Sequence, residues 1–188
     1  MNGSALQTTA WPSSIPDLAT ERLRLRAPLP RDAAALLALV GDPEVTKYIN
    51  VATITTLAEA QAVLERLDQR YAARDMIRWA IELVEHNEMI GTVGLLRFDF
   101  EHRHAELGYD IARRWWGQGL TPEAAGAVIR YGFSVLGLHR IEAGVLPEND
   151  ASVRVLQKLG FLEEGAYAKG RFHTFRWFSL LATAGSGR

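Results

Sequence analysis

The sequence contains no cysteine, which excludes disulfides, thiolate metal sites and cysteine nucleophiles. It also lacks any run approaching the ~18 apolar residues of a membrane span. No basic start followed by an apolar stretch marks a secretory signal, so a cytoplasmic location is expected. Formal charge is only -1 over 188 residues. A protein that grips phosphate backbones needs a basic footprint, so neither nucleic acid nor membrane is expected as a partner. There is no internal repeat and no linker. What remains is ordinary, 48% hydrophobic and 23% charged, in a chain long enough to bury a core without staples. Residues 1–17, rich in Ser, Thr, Ala and Pro, and residues 183–188 read as loose termini around a single domain over 18–182.

Period then separates strands from helices. Arg22 to Arg26 alternates Arg and Leu, the pattern of a half-buried strand. Pro30 opens a helix with Ala33, Leu36, Leu37 and Val40 on one face. A second helix starts at Thr56, with Glu59 in capping-box spacing. Three strands follow in a row, through Ile77–Leu83, Ile90–Phe100 and Ala105–Ala112. Their short connections predict antiparallel neighbours. In the third, Ala105, Leu107, Tyr109 and Ile111 share one face, and Glu106, Gly108, Asp110 and Ala112 the other. Thr121 and Pro122 read as N-cap and first residue of the next helix. A strand through Ile141–Val145 then returns parallel across that helical crossover. A last helix over Asp150–Leu159 and two strands, Phe161–Ala168 and Phe172–Leu181, complete the pattern. The expected fold is α+β (α/β), a mixed, mostly antiparallel sheet of about seven strands with helices on both faces.

The stretch from Glu106 to Glu123 reads as strand, two-glycine loop and helix start. A helix N-terminus presents unpaired N–H groups and about half a positive charge. Gly117 and Gly119 let the backbone come close to a ligand, so the loop is a candidate anion cradle. It lacks the third glycine of a dinucleotide fingerprint and the Gly-Lys-Ser/Thr of a P-loop.

Arg114-x-x-Gly117-x-Gly119 between strand and helix resembles the acetyl-CoA signature of the GNAT superfamily of N-acetyltransferases. Three more stretches resemble its RimJ/RimL-like branch: Thr20 to Arg26 (TERLRLR), Trp116 to Gly119 (WGQG), and Asn149 to Phe161 (NDASVRVLQKLGF) followed by Glu164-Gly165. The resemblance covers about residues 18–181. It implies that the parallel strand pair splays apart and that the pantothenate arm of acetyl-CoA pairs with Tyr109, Ile111 and Ala112. A β-bulge usually causes such a splay. The Arg114–Thr121 loop, including Trp116, Gly117, Gln118, Gly119 and Leu120, would hold the pyrophosphate. An N–H near Asp110 or Ile111 would polarise the thioester carbonyl. Asn149 would bond the pantetheine amides, or cap its helix.

The resemblance further implies direct attack of a neutral amine on the thioester, with no protein nucleophile and no metal. Ser152 is the candidate acid for the leaving sulfur. It occupies an inward stripe with Val155, Leu156 and Leu159, and the bland reading is a local helix cap. Glu106 is the candidate base, with a plain salt-bridged strand carboxylate as its alternative, and Glu164 is the fallback. Thr174 stands where the branch often carries Asp, which points to a different acceptor contact. The expected acceptor is a peptide or protein N-terminal amine, with polyamines, amino acids and aminoglycosides as alternatives. A non-catalytic acyl-CoA sensor is the rival class, and a homodimer is compatible with either. His102-Arg103-His104 reads as a surface turn rather than a metal pair. Phe172, Phe175, Trp177 and Phe178 read as sheet core, and Arg113 and Lys158 as solvated charges.

Overall fold

Cross-strand partners put their side chains on the same face of a sheet, so the register of this protein can be read as two surfaces. The computed structural model describes residues 11–49, 51–168 and 174–182. The strands are β1 (Leu18–Ala19), β2 (Leu23–Arg26), β3 (Met76–Leu83), β4 (Glu88–Asp99), β5 (His104–Ile111), β6 (Arg140–Val145), β7 (Leu162–Ala168) and β8 (Thr174–Leu181). They form one sheet in the order β1-β2-β3-β4-β5-β6-β8-β7. Only β5 and β6 run parallel, and all other neighbours are antiparallel. The eighth strand, absent from the sequence reading, is the two-residue β1, too short to show a period.

One face carries Trp79, Ile81, Val93, Leu95, Leu107 and Ile141, all buried. Helix α4 (Leu120–Ser134) covers it, and Tyr131 meets the Trp79 ring edge-on with centroids 5.6 Å apart. Truncating a fully buried leucine such as Leu95 to alanine would cost about 2–5 kcal/mol. The other face is polar along β2–β5. Helices α1 (Ala33–Val40), α2 (Pro43–Thr46) and α3 (Leu57–Ala72) pack there around Ala80 and Met89. Helix α5 (Asp150–Lys158) returns to the first face through Val153 and Leu156. The helices therefore lie on both faces, as expected. Arg26, almost fully buried, ties β2 to the turn before α1. It donates to Glu82 at 2.6 Å and to both oxygens of Asp32 at 2.7 and 2.8 Å.

Two expectations need correction. Residues 11–17 are not loose, because Trp11 packs against Tyr71 and Phe98 while the Pro12 and Pro16 carbonyls accept bonds from Tyr71 and Trp79. Aromatic burial without any period anchored this stretch. Helix α4 is capped by Gly119 rather than Thr121, since a left-handed glycine turns the chain into the helix two residues earlier. Residues 1–10 and 183–188, like Phe172, lie outside the described residues. Among the described residues no helix is long and apolar enough to cross a membrane.

Candidate active site

β5 and β6 pair only through His104↔Arg140, Ala105↔Ile141 and Glu106↔Glu142. β5 then continues to Ile111 against β4, and β6 to Val145 against β8. The two strands therefore part after Glu106. No bulge lies in the parted segment of β5. The register irregularities fall in β4, between Leu96 and Asp99 and around Ile90.

The parted edge has its own hydrogen-bond pattern. The Ala112 N–H donates to the Ile90 carbonyl at 2.8 Å. The Trp116 indole N–H donates to the Ile111 carbonyl, also at 2.8 Å. Backbone groups alternate sides along a strand, so Tyr109 and Leu107 turn theirs the same way as Ile111, toward the opening. Of the three residues expected to pair with a pantothenate arm, Ala112 is already committed to β4. Ile111 has spent its carbonyl on Trp116, and Tyr109 is the best placed.

After β5 the chain makes one 3-10 turn, Arg113–Trp115, and enters α4 through Gly117 and Gly119 at φ +75° and +74°. Side chains other than glycine pay roughly 1–2 kcal/mol in this left-handed region. A Cβ on Gly117 would meet nothing within 4 Å, so the loop is open outward. Pro122 has no N–H, which leaves those of Leu120 and Thr121 as the helix's unpaired donors. The loop is braced from β2. The Arg22 guanidinium donates to Glu123 at 2.7 Å and to the Gln118 carbonyl at 3.0 Å. The Arg22 N–H and Thr20 hydroxyl reach the other Glu123 oxygen at 2.9 and 2.6 Å. Burial pushes the Glu123 carboxyl up, but these bonds outweigh it and hold it below its usual range.

A cavity of about 500 Å³ runs from this loop across the parted strands to α2. Trp116, Gly117, Gly119, Leu120 and Thr121 line one end, with Arg154 and Lys158 of α5 beside them. Tyr109, Ile111, Asn149 and Ser152 line the middle, and Asp110, Glu44 and Tyr48 the far end. The Asn149 side chain accepts from the Ser152 N–H at 3.1 Å, so it caps α5 while facing the cavity. The Ser152 hydroxyl lies 2.7 Å from the Tyr109 hydroxyl. Burial pushes the Tyr109 phenol up to about 12, offset in part by Ser152.

Other expected site residues stand apart from the cavity. Arg114 pairs with Glu88 and lies over the Trp115 ring. Gln118 donates to the Arg114 carbonyl at 3.1 Å. Glu106 sits on the polar face at the point of parting, its carboxylate paired with Arg97. The fallback Glu164 is bonded by Arg140 and Ser179, which hold it down to about 2, too weak a base for an amine. His102 pairs with Asp99 in its turn. Among the described residues no three metal-ligating side chains gather.

Sequence reasoning missed four features: the Tyr109 hydroxyl, the Thr20–Arg22–Glu123 brace, the Trp116 indole bond and helix α2. Only α2 left a local signal, Asp42-Pro43-Glu44, in which Asp42 accepts from the Glu44 N–H at 2.9 Å. The brace joins residues about a hundred positions apart.

Residues 22–162 match the family model described as the acetyltransferase (GNAT) domain. The chain belongs to the GNAT acetyltransferase family. It is 41% identical over 169 residues to the uncharacterized N-acetyltransferase p20 of Bacillus licheniformis, covering 87% of this chain and 95% of that one. Mycobacterium smegmatis RimJ, solved in complex with CoA-disulfide, superposes with a TM-score of 0.79 at 25% identity, over 92% of this chain and 88% of the other. The spermidine N(1)-acetyltransferase of Vibrio cholerae is 34% identical over 88 residues, 47% of this chain and 50% of that one. This chain is thus an acetyl-CoA-dependent N-acetyltransferase with a RimJ-like fold.

Proposed function

We propose that this GNAT enzyme acetylates an α-amine, that of a peptide or protein N-terminus, by direct attack within a ternary complex. The observation that carries this reading is the cavity between the α4 loop, the parted strands and α2. Its cationic, N–H-lined end lies at α4, a hydroxyl pair stands at its centre, and a second end opens toward α2. Leu120 and Thr121 N–H groups, with Arg154 and Lys158, suit the pyrophosphate of acetyl-CoA. Tyr109 and Asn149 suit the pantetheine arm. Acetyl-CoA supplies the activated acyl group.

The acceptor nitrogen forms a bond to the acyl carbon as the carbon–sulfur bond breaks, and Ser152 gives its proton to the departing sulfur. An N–H of β5 facing the opening, that of Tyr109 or Ile111, stabilises the oxyanion. Glu106 stands apart from the cavity, paired with Arg97, so the amine proton goes to solvent, from which Ser152 is reprotonated. A small-amine acceptor is the second reading, favoured by the similarity of part of the chain to spermidine acetyltransferases.

CoA release, followed with a thiol reagent, tests both. The chain has no cysteine, so the enzyme adds no background. Peptides with Ala, Ser, Thr or Met N-termini should release CoA faster than spermidine, free amino acids or aminoglycosides. Turnover with spermidine alone would replace the first reading with the second.

A further inference from the structure

Two carboxylates line the cavity, those of Asp110 and Glu44. Asp110 is matched. Arg78 pairs with it, and the Thr92 hydroxyl donates to it at 2.6 Å. The carboxylates nearby on the sheet also carry arginines, Glu106 with Arg97, and Glu142 and Glu164 with Arg140. Among the described residues the Glu44 carboxylate has no ion pair and no hydrogen bond. Lys47, three residues on, does not supply one, because its ammonium lies over the Tyr48 ring, 5.1 Å from the centroid.

The backbone beneath Glu44 is fixed. Asp42 accepts from its N–H at 2.9 Å, Val45 is buried, and the Thr46 hydroxyl lies 2.8 Å from that of Thr53. One cavity wall thus carries cations at the α4 end, Arg154 and Lys158, a neutral hydroxyl pair in the middle, and one unmatched carboxylate on the α2 side. Charge lining a cleft attracts ligand charge of the opposite sign.

We propose that Glu44 is a specificity-determining residue that reads a second positive charge on the acceptor. The inference rests on the acetyl-transfer reading above. The charge is not that of the reacting amine, which must be neutral to attack the thioester and meets the acyl carbon beside Ser152. It belongs to another group of the same molecule, one that reaches the α2 side. In a peptide acceptor that group is a lysine or arginine side chain close to the N-terminus, and in a small acceptor it is a second ammonium. An acidic residue in the same place, or the carboxylate of a free amino acid, meets like charge.

The test measures kcat/KM by CoA release for the wild type, Glu44→Gln and Glu44→Lys. The acceptors are alaninyl peptide amides that differ only in a lysine, glutamine or glutamate at the second or third residue, with spermidine and butylamine beside them. The wild type should prefer the lysine peptide over the glutamine peptide by about threefold to fivefold, the scale of an exposed ion pair, and the glutamate peptide should be poorest. Added salt should compress that order. Glu44→Gln should abolish the preference while the glutamine peptide and the KM for acetyl-CoA stay within about twofold of the wild type. Glu44→Lys should invert it.

A Glu44→Gln loss on spermidine with none on butylamine would extend the reading to small diamines, and a loss on the lysine peptides alone would confine it to peptides; both outcomes support the inference. Should Glu44→Lys unfold, the isosteric Glu44→Gln still decides. Equal turnover of the charged and neutral acceptors by the wild type, a preference that survives Glu44→Gln, or equal losses on every acceptor would overturn the inference and leave the transferase intact. No CoA release from any acceptor would overturn the reading on which it rests, and the inference with it.

Discussion

The two ends of the cavity are built differently. At the α4 end the donors belong to backbone, presented by two left-handed glycines and braced by Arg22 and Glu123. On the α2 side the polar groups belong to side chains brought from separate elements, the Asp110 and Glu44 carboxylates, which accept, and the Tyr48 hydroxyl. Backbone donors need a particular path of the chain, and they suit a ligand that never changes. Side chains can be exchanged one at a time without altering that path, which suits the end where acceptors differ between relatives. The Tyr109–Ser152 pair stands between the two.

Breaking the middle should have the largest effect. Ser152→Ala is expected to lower kcat by about a hundredfold, read by CoA release at saturating acetyl-CoA. Wild-type turnover at every pH would remove Ser152 from the chemistry.

Next comes the backbone end. Gly119→Val puts a β-branched residue at φ +74° and should raise KM for acetyl-CoA by about tenfold, with a smaller change in acceptor KM. An unchanged acetyl-CoA KM would show that the loop does not carry the cofactor.

Tyr109→Phe removes the short hydroxyl bond to Ser152 Oγ and the longer one to the Ser152 carbonyl, the former worth about 1 kcal/mol or roughly fivefold in kcat. The Tyr109 phenol is pushed up to about 12 by burial. It therefore stays protonated through the assay range, and the variant should leave the shape of the pH–rate curve unchanged below about pH 10. A shift of its alkaline limb would show that the phenol itself titrates during turnover.

The smallest effect is expected from Glu123→Gln, which weakens the brace and leaves the donors in place. Acetyl-CoA KM should rise about threefold. Because the folded-state carboxyl titrates below its ordinary value, the stability it contributes is present above the usual carboxylate range. That stability is lost as pH falls through the lowered value. The variant and wild type should thus converge in thermal melting in acid, and divergence there would contradict the brace.

Much of the fold was legible because each element carried its own period or punctuation. Strands β2, β3, β5 and β6 alternate, Thr56 and Glu59 form the capping box that opens α3, and the glycines mark the loop. The loop proposed to hold the cofactor was legible as a loop for the same reason, since its residues are contiguous from Trp116 to Thr121. Tyr109 was read only as a backbone partner, because nothing local shows that its hydroxyl meets a helix more than forty residues away. Glu106 was legible as a polar residue on the right strand, but its pairing with Arg97 depends on the irregular register at the end of β4.

The sequence by itself determined the family, the order of most elements and the two-glycine loop between β5 and α4, because these rest on local backbone preference and short-range spacing. Only the tertiary structure decided where β5 and β6 part and which carboxylates are matched by arginines. Those features depend on strand register and on side chains meeting across the sheet. Register is a property of the assembled sheet, and no single segment carries it.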